Sequence, residues 1–140
     1  MTSIDPTAAQ LEELATRAAT LTGPIRMVNL LRFRDTADYG EQGDPSDDGA
    51  STGAQAYSRY GEVAMAEVAA IGGSQFEVAV AHQTVIGPES EVWDLVATIE
   101  YPSPAAFLEM IAKPSYRAAV HHRTAGLADT RIIMTTSLLG

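Results

Sequence analysis

Apolar residues recur every three or four positions in four stretches of the chain, which is the spacing of an amphipathic helix. The predicted helices cover residues 5–21, 54–71, 104–111 and 115–127. Asp5 is predicted to cap the first helix, Ser103 the third and Ser115 the fourth. A short polar side chain at such a position accepts hydrogen bonds from backbone amides that the helix itself leaves unpaired.

Apolar and polar residues alternate in four other stretches, and this alternation predicts β-strands. The predicted strands cover residues 25–34, 76–86, 92–100 and 131–137. In the second strand, the alternation places Phe76, Val78, Val80 and His82 on one face. Residues 35–53 show neither spacing and are predicted to form a long loop between the first strand and the second helix.

The order of these elements predicts the fold. After the first helix it is strand, helix, strand, strand, helix, strand, which is the α+β, ferredoxin-like βαββαβ arrangement of an antiparallel sheet with helices on one face. We expect one domain over residues 1–140, with residues 1–24 as an N-terminal helical extension and residues 35–53 as an acidic insertion. Because the strands carry apolar side chains on both faces, we expect a homodimer formed by sheet-on-sheet packing.

The composition narrows the functional classes. The chain has 140 residues, a net charge of −9 and no cysteine. An acidic chain neutralises phosphates poorly, so binding to nucleic acid or to an anionic membrane is not expected. The lack of cysteine excludes disulfides and thiolate nucleophiles, and with no signal-peptide pattern or membrane span it favours a cytoplasmic location. Six of the acidic residues lie in residues 35–53, so the rest of the chain is nearly balanced in charge.

Several short motifs in a fixed order resemble a bacterial family known as domain of unknown function 1330. They are MVNLLRFR at 27–34, IGP at 86–88, WD at 93–94, YPS at 101–103, AFLEM at 106–110, PSY at 114–116 and HRTA at 122–125. The resemblance implies membership of the dimeric α+β barrel superfamily, in which two ferredoxin-like units pair into a barrel. That superfamily includes cofactor-independent monooxygenases, polyketide cyclases, lactone isomerases and haem proteins, so no single reaction follows from it.

Four residues are candidates for acid/base chemistry. His122 lies in the HRTA motif and titrates near neutrality, which suits a proton carrier; the alternative is a histidine that only stabilises a helix end. Because adjacent helical positions diverge by about 100°, we expect His121 to point elsewhere. Asp94 can orient a histidine or pair with an arginine. Asn29 can bridge two strands or face a cavity, since a buried amide must find hydrogen bonds. Tyr57 can belong to the core or reach into a pocket with its hydroxyl.

A second group of residues is predicted to bind substrate. Arg32 and Arg117 are the predicted anion anchors, because a guanidinium binds a carboxylate through two hydrogen bonds; surface ion pairing is the alternative. Tyr60, His82 and Trp93 complete the predicted substrate-binding set.

No cofactor and no metal ion are expected. The chain lacks a phosphate-binding loop and the GxGxxG, HExxH and GxSxG motifs. Residues 44–49 match the opening of a calcium loop, but the twelfth position is Gln55 instead of glutamate. The acidic loop is interpreted instead as a lid or a solvated insertion near the mouth of the helix–sheet layer.

Two functions remain open from the sequence. The first is a cofactor-independent isomerase, cyclase or monooxygenase that acts on a small polar or carboxylated molecule through acid/base chemistry. The second is a non-catalytic structural or stress-related dimer. An open cavity with His122 and an arginine in its wall favours the first, and a closed layer with His122 bonded to backbone favours the second.

Overall fold

The computed structural model describes residues 2–139 and forms one four-stranded sheet with helices on one face. The helices are α1 (Ala8–Ala18), α2 (Gly53–Ala70), α3 (Pro104–Ala112), α4 (Pro114–Arg117) and α5 (Val120–Gly126), and a short 3-10 helix covers Gly40–Gln42. The strands are β1 (Ile25–Phe33), β2 (Ser74–Val80), β3 (Leu95–Tyr101) and β4 (Leu127–Thr135). They lie in the order β2-β3-β1-β4 with antiparallel neighbours, which confirms the α+β, ferredoxin-like class.

The core lies between the sheet and the helices. Ile25 and Met27 of β1 are paired with Tyr101 and Ile99 of β3, and all four are buried on the helix side of the sheet. The helices contribute Ala64, Val68, Met110 and Tyr116 to the same cluster. Alternation along β1 therefore places every second residue in the core, as the sequence pattern predicts.

The opposite face of the sheet carries apolar side chains between ion pairs. Val28 of β1 is paired with Ile133 of β4, which is 55% exposed. Arg26 binds Glu100 at 3.0 Å on the same face. We call this surface the outer face. It is the surface that the sequence analysis predicts to pack against a second copy of the sheet.

The second strand differs from its prediction. It ends at Val80 instead of residue 86, and a β-bulge interrupts its pairing between Gln75 and Glu77. The extra residue, Phe76, lies on the outer face, where the Arg26 guanidinium is 3.9 Å from the centre of its ring. The predicted common face of Phe76, Val78 and Val80 is therefore wrong, because a bulge shifts the alternation by one residue.

Two helix caps and the start of β4 also differ from prediction. Thr7, not Asp5, caps α1 in a capping box with Gln10. The Ser115 hydroxyl donates to Glu67 at 2.7 Å, and Lys113 precedes α4 without a side-chain cap. β4 begins at residue 127 instead of 131, because it follows α5 without a loop; α5 ends at Gly126, one residue before the predicted end of the helix. Ser103 does cap α3, as predicted.

Two glycines let α2 and α5 approach to backbone contact. A Cβ atom on Gly53 would lie 2.1 Å from the Arg34 carbonyl oxygen, and one on Gly126 would lie 2.5 Å from the Gly53 carbonyl oxygen. Only a residue without a Cβ fits at such a distance. This contact fixes α5 against α2 at the end of the sheet where the polar residues gather.

The segment before α1 crosses the edge of the sheet. Ser3 donates its amide to the Asp129 carboxylate at 2.8 Å and accepts the Thr130 amide at 2.9 Å, so it is bonded to the edge strand β4. None of the helices in residues 2–139 combines the length and the apolar character that a membrane span requires.

Candidate functional site

A chain of three side chains joins the acidic loop, α2 and α5. Arg59 Nη1 lies 2.8 Å from Tyr39 Oη, which lies 2.7 Å from His122 Nδ1. Tyr39 is the only aromatic residue of the acidic loop, and its ring is buried against Ala56 and Ala125. We call these residues the Arg59–Tyr39–His122 network.

The acidic loop is tied to this network by hydrogen bonds. Arg59 Nη2 donates to the Ser51 hydroxyl at 2.7 Å, and that hydroxyl donates to Asp44 at 2.8 Å. Partial burial of Asp44 opposes its ionisation, but hydrogen bonds from the backbone and hydroxyls of Ser46 and Ser51 outweigh it and hold its pKa below the usual range. The loop is therefore a bonded part of the structure, not a freely solvated insertion.

The calcium-like spacing in this loop does not build a metal site. The Ser46 hydroxyl lies 2.7 Å from Asp44 Oδ1 and 2.9 Å from Asp48 Oδ1 and shares its one proton between them, so these side chains are bonded to one another. Within residues 2–139, no three histidine or acidic side chains are arranged to hold a metal ion.

The surroundings of His122 favour its neutral form. Partial burial lowers the pKa of His122, and the charges of His121 and Arg59 lower it further. An arginine can only donate, so Tyr39 Oη accepts from Arg59 and is free to donate its own proton to His122 Nδ1. This assignment places the imidazole proton on Nε2.

The prediction that His121 points away from His122 is wrong. The two rings lie 4.0 Å apart between centroids at an interplanar angle of 37°. Both rings also meet Tyr39 edge-on, at 6.1 Å from His121 and 5.5 Å from His122. The backbone positions diverge, but rotation about the side-chain bonds brings both rings to the same tyrosine.

Asp94 extends the sheet instead of serving a histidine or an arginine. Its carboxylate accepts the Phe33 amide at 2.8 Å, and its own amide donates to the Leu31 carbonyl at 2.7 Å. Its carbonyl accepts the Ala81 amide at 2.9 Å. Within residues 2–139, neither a histidine nor an arginine bonds to the Asp94 carboxylate.

Asn29 bridges two strands, which is the structural alternative. Its Nδ2 donates to the Met27 carbonyl at 3.0 Å and to the Ala97 carbonyl at 3.1 Å. Both amide protons are used by backbone acceptors, so this side chain contributes to the register of β1 and β3.

Tyr57 and Tyr60 lie in an aromatic cluster under α2. The Tyr57 ring is 5.4 Å from Phe33 and 5.2 Å from Tyr60, and the Tyr60 and Tyr116 hydroxyls lie 2.6 Å apart. Burial raises the pKa of Tyr57 to about 12 and raises that of Tyr60 as well, so both phenols stay protonated at neutral pH.

The predicted anion anchors lie away from the Arg59–Tyr39–His122 network. Arg32 is on the outer face, 3.3 Å from the Ser90 carbonyl and 3.8 Å from Asp129. Arg117 is exposed on α4 and forms no ion pair within residues 2–139. His82 and Trp93 line a groove of about 410 Å³ formed by the loop between β2 and β3. The structure therefore does not bring these four residues together with His122.

A larger groove lies beside the acidic loop. It has a volume of about 720 Å³ and is lined by Asp47, Asp48, Ser58 and Arg59, among others. Arg59 connects this groove to Tyr39, but His122 itself is not in the wall. The sequence analysis left two alternatives, an open cavity with His122 and an arginine in its wall, or a closed layer. The structure lies between them, because the groove has Arg59 in its wall but not His122.

Sequence reasoning missed Tyr39, Arg59 and Ser51. The single aromatic residue in an otherwise polar loop is a usable signal for Tyr39, because such a side chain is seldom left in solvent. Arg59 had no comparable signal, since an arginine on a helix is most often a solvated surface residue.

Two solved structures of one bacterial protein match nearly the whole chain. The crystal structure of RPA0582 from Rhodopseudomonas palustris, described as a protein of unknown function, is 38% identical with a TM-score of 0.83, over 99% of this chain and 98% of that one. The chain belongs to the family of RPA0582. A methylated form of RPA0582 gives 40% identity and a TM-score of 0.84, over 99% of this chain and 97% of that one.

More distant structures share the fold of RPA0582 and its relatives. A dabb family protein with a ferredoxin-like fold from Mesorhizobium loti is 18% identical with a TM-score of 0.51, over 83% of this chain and 98% of that one. A dimeric protein of unknown function with a ferredoxin-like fold from Bacteroides fragilis is 13% identical with a TM-score of 0.50, over 84% and 99%. No family model and no curated protein matches the chain, so the resemblance to domain of unknown function 1330 stays a prediction.

Proposed function

We propose that this protein binds a small polar or carboxylated molecule and moves a proton to or from it without a cofactor, with His122 as the proton carrier. The observation that carries the proposal is the Arg59–Tyr39–His122 network, in which a fixed cation, a phenol and a neutral imidazole are bonded in series. The resemblance to domain of unknown function 1330 names no reaction, but the superfamily that it implies includes isomerases and cyclases, the class of reaction proposed here.

The network suits proton removal from a substrate that approaches Arg59 from the larger groove. A substrate X–H bond would break as Tyr39 Oη takes the proton, while the phenol proton passes to His122 Nδ1 and leaves an imidazolium. The charge of Arg59, 2.8 Å from Tyr39 Oη, stabilises negative charge on that oxygen during the transfer. Return of the proton to another atom completes an isomerisation or a cyclisation.

We also propose that the functional unit is a homodimer. The outer face presents Val28, Leu30 and Ile133, and a second copy of this sheet would cover them. The similar Bacteroides fragilis structure is described as dimeric, which supports this arrangement.

The experiment is solvent-proton exchange into small carboxylates that carry a C–H bond next to a carbonyl group, with acetoacetate and phenylpyruvate as probes. We expect the protein to exchange at least one probe with D₂O faster than buffer does, and H122Q, Y39F and R59Q to lose about 100-fold or more of that rate. R17Q is the matched control, because Arg17 is exposed on α1. Exchange at the buffer rate, or an H122Q rate equal to wild type, would contradict the proposal.

The second candidate is a non-catalytic dimer. Among residues 2–139, the side chains of Asp94 and Asn29 bond to backbone groups only, and the wall of the larger groove does not contain His122. Under this alternative, the same probes leave the NMR resonances of Arg59 and His122 unchanged, whereas the catalytic proposal requires at least one probe to shift both.

A further inference from the structure

Arg59 is a half-buried cation without a carboxylate partner. Its Nη1 donates to Tyr39 Oη at 2.8 Å, and its Nη2 donates to the Ser51 hydroxyl at 2.7 Å. A guanidinium has five N–H groups, and no other hydrogen bond or ion pair to Arg59 forms within residues 2–139. The other buried or half-buried arginines each pair with an acidic side chain, and they are Arg26, Arg32, Arg123 and Arg131. Arg59 therefore keeps donors for an anion that the chain itself does not supply.

Arg59 is held from outside the groove that it lines. The larger groove, of about 720 Å³, has Arg59 in its wall, whereas Tyr39 and Ser51 are not wall residues. Both of these residues hold the guanidinium through neutral hydroxyls, so its positive charge is not cancelled. A guanidinium fixed in this way can bind a carboxylate through two parallel hydrogen bonds without first losing side-chain freedom. The groove therefore contains an anchor for a ligand carboxylate.

The same wall also carries two carboxylates, those of Asp47 and Asp48. Asp48 is held in place by the Ser46 hydroxyl at 2.9 Å and by the Ala50 amide at 3.0 Å. The Asp47 side chain is exposed and forms no hydrogen bond or ion pair within residues 2–139. Two carboxylates and one guanidinium give the wall a net negative charge. A second carboxylate on a ligand is therefore repelled in this groove, whereas an ammonium group is attracted.

The rest of the wall excludes a strongly apolar ligand. Seven of its eight residues are polar or charged, and the eighth is Ala50. A site for an aromatic or long aliphatic molecule is lined mainly by apolar side chains, because the burial of apolar surface drives such binding. The groove therefore suits a small molecule that is polar at both ends.

We infer that the larger groove binds a small amino carboxylate, with the ligand carboxylate at Arg59 and the ligand ammonium group at Asp47 and Asp48. Each charge of such a ligand meets the opposite charge in the wall, which a simple carboxylate or a dicarboxylate does not achieve. The inference names a substrate class for the proposed function, and it rests on that function only in treating the bound molecule as a substrate. Arg59 would then connect the bound carboxylate to Tyr39 and, through it, to His122.

The test measures binding by calorimetry with 4-aminobutyrate as the probe. Butyrate lacks the ammonium group, and glutarate carries a carboxylate in its place. NMR of the Arg59 Nε–H group locates the bound carboxylate. We expect 4-aminobutyrate to shift the Arg59 resonance and to bind about fivefold more tightly than butyrate, because its ammonium group gains two exposed ion-pair partners. Glutarate should bind no more tightly than butyrate.

The variant D47N removes one charge from the wall without removing a hydrogen bond seen within residues 2–139. It should bind 4-aminobutyrate about 1.5- to 5-fold more weakly than wild type, as expected for one exposed ion pair, and it should bind glutarate more tightly. A loss of folding cannot produce changes of opposite sign. D35N is the matched control, because Asp35 belongs to the same acidic loop but not to the wall, and it should bind both molecules as wild type does.

Three results would overturn the inference. They are an Arg59 resonance that 4-aminobutyrate leaves unchanged, an affinity for 4-aminobutyrate no higher than for butyrate, and equal behaviour of D47N and D35N. If acetoacetate still exchanges its protons with D₂O, these results leave the proton-transfer proposal intact. Normal binding of 4-aminobutyrate without exchange of either earlier probe would contradict the proton-transfer proposal alone.

Discussion

The substitution G126A tests how the close contact between α2 and α5 supports the network. The new Cβ would lie 2.5 Å from the Gly53 carbonyl oxygen and 2.9 Å from the Tyr57 amide nitrogen. Both neighbours are backbone atoms, so no rotamer change can relieve the overlap. α5 must move away from α2, and His122 lies one helical turn before Gly126 on the moving helix.

The loss in free energy of unfolding that G126A causes can be worked from this geometry. Relief to ordinary contact requires α5 to shift by about 1 Å, and overpacking of this kind costs about 1–3 kcal/mol. We take the destabilisation by G126A as about 2 kcal/mol, because the overlap involves backbone atoms of both helices. With an unfolding entropy of about 2 cal/mol/K per residue, this corresponds to a fall in Tm of about 7 °C.

Gly61 provides the matched control within α2. A Cβ atom there meets nothing within 4 Å, so G61A should gain about 0.5–1 kcal/mol from helix propensity. Thermal and urea unfolding should be compared at one protein concentration, because a dimer makes Tm depend on concentration. If G126A is as stable as wild type, or if G61A is the less stable of the two, the packing argument is refuted.

Three other outcomes are expected. Y39F removes the hydroxyl shared by Arg59 and His122 and should lower the free energy of unfolding by about 2 kcal/mol in urea, with an unchanged m-value; an unchanged midpoint would show that these bonds do not form. Burial alone would raise the pKa of Asp129, but hydrogen bonds from Ser3 and Arg131 lower it overall. The unfolded state therefore takes up the proton first, stability falls as pH drops below the ordinary value of 3.8, and D129N should flatten this fall in acid titrations followed by circular dichroism. On the outer face, I133D should convert the dimer to a monomer in sedimentation experiments while I132D, on the other side of β4, should not; two dimeric variants would contradict the assembly.

The fold could be predicted because its elements follow directly from side-chain spacing. β1 buries Ile25, Met27 and Leu31 on one face, and the order of elements leaves the ferredoxin-like arrangement as the simplest solution. The errors occur where local geometry departs from regular periodicity. The bulge at Phe76 adds one residue without a signature residue such as glycine, and β4 follows α5 directly at Leu127 without a loop.

The polar network could be predicted only in part, because long-range pairing creates it. His122 could be singled out by its titration range and its motif. Its partners lie 83 residues away at Tyr39 and, through that hydroxyl, at Arg59. Asp94 shows the same limit, since its carboxylate accepts the amide of Phe33, 61 residues away, and no local pattern reveals that contact.

The tautomer and charge of His122 test the central claim most directly. Long-range ¹H–¹⁵N NMR of the imidazole at pH 7 should show a neutral ring with the proton on Nε2 and with Nδ1 accepting a hydrogen bond, and Y39F should abolish that bond. R59Q should raise the pKa of His122, because it removes one of the charges that lower it. A charged ring at pH 7, a proton on Nδ1, or a titration of His122 that R59Q leaves unchanged would contradict the account.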